Sequence, residues 1–85
     1  MRHNCSNNTD LDELIGAGEL ANGQYVFHYG PIAEAMRLDT ELVLDNSRSL
    51  SSVMLAKIHS LSRNLFIAET DEFFHPGNGF HLVFN

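Results

Sequence analysis

A chain of 85 residues with 44% hydrophobic side chains and a formal charge of −6 has room for one small folded domain. Its 11 acidic against 5 basic residues leave no patch to neutralise phosphates, which argues against nucleic acid as a partner, and the single Cys5 excludes an internal disulfide. No apolar run nears the ~20 residues of a membrane helix. Met1 to Asp10 lacks the apolar stretch of a signal peptide, so the expected setting is cytoplasmic with no membrane contact.

Residues 1–8 are polar and read as a flexible tail, which places the folded domain at 9–85. Thr9 can cap a short helical turn carrying Leu11, Leu14 and Ile15, with Gly16 and Gly18 as its stop. Ala21-Asn22-Gly23-Gln24 is a turn signal, and Tyr25 to Tyr29 has the aromatic and β-branched content of an extended segment. Gly30-Pro31 opens a helix, because proline has no N–H to leave unpaired at the first helical position. Ile32, Ala35, Met36 and Leu38 form its apolar stripe, and Asp39-Thr40 ends it.

Glu41 to Asp45 predicts a strand whose continuous apolar run suits burial in a parallel sheet. Asn46 to Ser49 is a loop in which Ser47 or Ser49 can cap the following helix. Leu50, Val53, Met54, Ile58 and Leu61 carry the clearest helical period in the chain. Leu65 to Glu69 and Phe73 to His75 flank a hairpin turn at Thr70-Asp71-Glu72. Pro76 to Gly79 breaks the chain before a last apolar strand, Phe80 to Phe84. Strand, helix and second strand imply a right-handed parallel crossover. The expected class is therefore α/β: a small parallel sheet with one crossover helix and a β-hairpin.

Five histidines lack the spacing of a zinc site, and Ser47, Ser49, Ser51 and Ser52 lack the elbow of a serine nucleophile. On spacing alone, Asp45 can equally be the last residue of a strand that caps its loop.

In order, Asp12-Glu13-Leu14-Ile15-Gly16, Gly30-Pro31-Ile32 with Ala35, Leu42-Val43-Leu44-Asp45, Glu69-Thr70-Asp71-Glu72, His75-Pro76 and Phe80-His81-Leu82-Val83 form a series of landmarks. This series resembles the middle of the AAA+ ATPase module, a three-layer P-loop NTPase fold. It is most like the branch that includes MoxR-type proteins, the cobaltochelatase small subunit and midasin. The resemblance makes Leu42 to Asp45 the Walker B strand, with Asp45 orienting Mg through water beside ATP. Asn85 falls at or just before the sensor-1 position, which in the family contacts the γ-phosphate or the attacking water.

Two departures qualify what the resemblance implies. The phosphate-cradling Walker A loop, GxxxxGK[ST], is absent, so the chain looks like an internal slice with Walker A upstream. Asn46 stands where the family has the glutamate that activates water. An amide is no general base near neutral pH, and losing a catalytic base typically lowers a rate by ~10²- to 10⁴-fold. The expected function is thus a partial or degenerate ATPase domain that binds ATP by ancestry and does not hydrolyse it alone. The alternative is a non-enzymatic protein that docks on or regulates an intact AAA+ subunit. In the family the sensor-1 strand sits beside the strand that feeds the P-loop. Without that neighbour, Phe80 to Phe84 has an open edge that would self-associate or pair with an intact subunit.

Overall fold

The computed structural model describes residues 1–85 as a mixed α/β fold around a parallel three-stranded sheet. Chain order is β1 (Arg2–Asn4), α1 (Leu11–Ile15), β2 (Gly16–Ala21), β3 (Gln24–Tyr29), α2 (Pro31–Leu38), β4 (Glu41–Asp45), a 3₁₀ turn (Ser47–Ser49), α3 (Ser52–Leu61), β5 (Leu65–Ile67), β6 (Glu72–Phe74) and β7 (His81–Phe84). The sheet runs β1-β4-β7, with β2–β3 and β5–β6 as separate antiparallel hairpins. The apolar run of β4 lies at the centre, as its composition predicts.

Leu42 and Leu44 alternate onto one face and are fully buried. Leu82 and Phe84 lie beside them in register and pack on the same core. Ile32, Ala35 and Met36 of α2 join this cluster, as does Ile58 of α3, while His59 stacks on Phe84 at 5.0 Å between ring centroids. Val43 and Val83 point to the opposite face, where Val83 is 39% exposed.

Several expectations need correction. Residues 1–8 are not a tail. Arg2, His3 and Asn4 pair in parallel with Val43, Leu44 and Asp45, and the Cys5 N–H donates to the Asp45 carbonyl at 2.8 Å. Cys5 itself is buried. The fold therefore has two crossovers rather than one: β1 to β4 through α1, the first hairpin and α2, and β4 to β7 through α3 and the second hairpin.

Thr9 does not cap α1. The cap is Asp10, whose Oδ1 accepts the Glu13 N–H at 2.9 Å; Thr9 instead accepts from the Ser6 N–H. Gly16 ends α1 as expected, but the chain then runs on as β2. Asn22 and Gly23, both at positive φ (53° and 78°), make the two-residue turn that matches strand twist. Leu38, the last residue of α2, is exposed rather than part of the buried stripe, and Asp39 turns left-handed immediately after it. Ser51, rather than Ser47 or Ser49, caps α3 by accepting the Met54 N–H at 3.1 Å. Val53 falls outside the buried face of α3 and is 63% exposed.

The base of the first hairpin is tied to the turn end of the second. The Tyr29 hydroxyl donates to the Glu72 carboxylate, and the Arg37 guanidinium sits over the Tyr29 ring, 5.0 Å from its centroid. That hydrogen bond raises Tyr29 and, with a smaller contribution from Thr70, holds Glu72 below the ordinary carboxylate range. No helix is long and apolar enough to cross a membrane.

Candidate functional site

The carboxyl ends of parallel strands are where α/β sheets gather ligand-binding groups, because loops and helix starts converge there. In this sheet that end is formed by Asn4, Asp45 and Asn85, each at or just beyond the last residue of its strand. The structure brings Asp45 and Asn85 together: the Asn85 Nδ2 donates to Asp45 Oδ1 at 2.8 Å. Asn85 is held in place by its own backbone. Its N–H donates to the Leu44 carbonyl at 3.0 Å, and its carbonyl accepts the Ser47 N–H at 2.9 Å.

Arg2 is the residue that sequence reasoning missed. Its Nε and Nη2 donate to the two Asp45 carboxylate oxygens at 2.9 and 2.7 Å, a bidentate pair. These hydrogen bonds first, and that of Asn85 next, hold the Asp45 carboxyl below the ordinary carboxylate range. The same pairing raises Arg2. Nothing in the polar stretch around Arg2 signals this role, since it depends on a register between residues 43 apart in sequence.

Asn46 is turned away from this cluster. Its backbone is left-handed (φ 59°, ψ 36°), and its side-chain Nδ2 donates to the Cys5 carbonyl at 3.1 Å. The Asn46 carbonyl accepts the Ser49 hydroxyl at 2.7 Å, which closes the loop after β4. Asparagine is suited to such a position because its short polar side chain tolerates the left-handed region. Burial first, with the nearby Glu13 and Asp45 charges, raises the Cys5 thiol, so it stays protonated and unreactive near neutral pH.

The donor set at Asp45 does not suit a divalent cation. The groups around the carboxylate are a guanidinium and an amide N–H, both donors, and the guanidinium already supplies the positive charge. No group of three or more His, Cys, Asp and Glu is arranged to hold a metal. The histidines are dispersed: His3 on Glu13, His28 on Glu19 and His75 on Asn64.

No family model matches the chain. It is similar to midasin from Giardia intestinalis, at 33% identity over 86 residues that take in 95% of the chain. That similarity supports an AAA+ relationship. The chain spans 2% of the midasin's length, so the similarity concerns one segment of a much larger protein.

The Arg2–Asp45 pair makes stability depend on pH. Asp45 is depressed in the folded state, so its contribution is full above the unfolded value of about 4 and is lost as pH falls through the folded value. Replacing Arg2 by glutamine is expected to flatten the decline of melting temperature between about pH 5 and pH 3. Some decline should persist, because Glu72 is depressed independently by Tyr29. Melting curves across that range, with an unchanged slope in the variant, would contradict this account of Asp45.

Proposed function

We propose that this chain is a degenerate AAA+ module of the MoxR and midasin type that does not hydrolyse ATP by itself. The observation that carries this reading is the bidentate Arg2 guanidinium on Asp45, where the family's aspartate would face magnesium. The left-handed Asn46, occupied with the Cys5 carbonyl, supports it further. Under this reading Asp45 and Asn85 keep the positions of Walker B and sensor-1 residues. Their chemistry is instead spent on tying the ends of β4 and β7 to the first residue of β1.

Calorimetry with millimolar Mg-ATP is expected to show no binding heat, and phosphate release should stay at the buffer rate. Magnesium-dependent binding that disappears in Asp45→Asn would overturn the proposal.

A second reading is favoured by β7, which has β4 on one side and no strand on the other. A free edge recruits further strands, which fits a protein that docks on an intact AAA+ subunit or on itself. Under this reading a full-length AAA+ partner co-purifies with the chain, or the chain sediments as a dimer. A proline at Leu82 abolishes either association. A stable monomer that captures no such subunit counts against it.

A further inference from the structure

Away from the strand ends, α1, β3 and the corner between α3 and β5 border an open pocket of about 260 Å³. Its surface is mixed: seven of its ten lining residues are hydrophobic, Ile15, Phe27, Leu61 and Phe66 among them, and Asp12 and Glu69 are the charged ones. No lysine, arginine or histidine is among its lining residues. Phe66 is 53% exposed and stacks against Phe73 at 6.0 Å between centroids, so the apolar wall continues onto the outer face of the second hairpin.

We infer that this pocket receives an apolar side chain from a basic peptide segment of a partner protein. At about 260 Å³ the pocket falls just below the range of about 300–1,000 Å³ for drug-sized ligand sites and has room for one large side chain. Charge decides the flanks: two carboxylates with no nearby cation in the lining attract lysine or arginine on either side of the inserted residue. Charge also argues against a second copy of this chain as the occupant. Each copy carries −6, and two of its five basic residues, Arg2 and Arg37, are already paired with Asp45 and Glu34. The site is independent of the Asp45 cluster, so it stands whether or not the chain binds nucleotide.

Three synthetic peptides test this on the full chain: Gly-Ser-Lys-Leu-Lys-Ser-Gly, its Lys-Gly-Lys counterpart and its Glu-Leu-Glu counterpart. Backbone amide NMR shifts are expected at Ile15, Gly16, Leu61 and Phe66 with the Lys-Leu-Lys peptide, and only weakly with the other two. The double variant Asp12→Asn, Glu69→Gln should weaken binding about threefold to tenfold, the effect of one or two exposed charge pairs. Should that variant unfold, raising salt in the native protein must weaken binding in the same direction. No shifts at millimolar peptide, equal shifts with all three peptides, or shifts centred elsewhere would overturn the inference.

Discussion

Leu44→Ala is expected to remove about 2–5 kcal/mol of stability, the usual range for a fully buried leucine. Leu44 is 0% exposed, sits on the central strand and lies in register with Phe84. It is flanked by strands on both sides and covered by the core cluster, so little can collapse into the space it leaves. A chain of 85 residues has a total stability of only about 4–13 kcal/mol at the common per-residue value. The variant is therefore expected to be close to unfolding at room temperature. Urea titration followed by circular dichroism measures the change. A loss below about 1 kcal/mol would mean that β4 is not the centre of the core. Val43→Ala, on the half-buried face of the same strand, should cost clearly less.

Asn46→Glu is expected to restore no hydrolysis and to destabilise the fold by about 2 kcal/mol. Two effects add. The left-handed backbone at φ 59° disfavours glutamate by about 1–2 kcal/mol. The lost hydrogen bond to the Cys5 carbonyl adds roughly 0.5–1.5 kcal/mol. Asn46→Gly separates them, because glycine keeps the backbone and loses only the side-chain bond. Phosphate release together with thermal melts reads both outcomes. Hydrolysis of Mg-ATP by Asn46→Glu above the buffer rate would show that the strand end still forms a working site.

The parts of the fold legible in the sequence were those with a strong local pattern. The Leu42-Val43-Leu44 run marked the central strand, and two strands joined through a helix implied the parallel pairing of β4 with β7. Gly30-Pro31 marked the start of α2 because its constraint is local. Strand β1 was illegible: Arg2-His3-Asn4 has no apolar alternation, and its pairing is set by contacts about 40 residues away. Strand β2 was hidden because Gly16-Ala17-Gly18 reads as a helix stop, while its extended form depends on Tyr29, His28 and Phe27 opposite. The helical period of α3 is visible in the sequence, but not which side faces the sheet, so the same period that places Ile58 in the core also includes the exposed Val53.

The site divides in the same way. Asp45 and Asn85 each stand out in the sequence because each ends an apolar strand, but their hydrogen bond to one another is visible only in the structure. Arg2 does not stand out, since a lone arginine among polar residues carries no signal of its partner. Its guanidinium changes the chemistry of the cluster from cation-accepting to charge-balanced.

Strands β1 and β7 are both outermost, so the sheet has a free edge on each side. In a parallel sheet these two edges differ, and a copy adding through β7 would present its β1 edge to the one before it. Head-to-tail joining of this kind forms rings where its rotation closes and filaments where it does not, whereas pairing of β7 with β7 stops at the dimer. The charge of −6 opposes that growth, with a reach of about 10 Å in 0.1 M salt that shrinks to about 3 Å at 1 M. If the edges do join, raising the salt concentration is expected to favour association, which light scattering across a salt series would read.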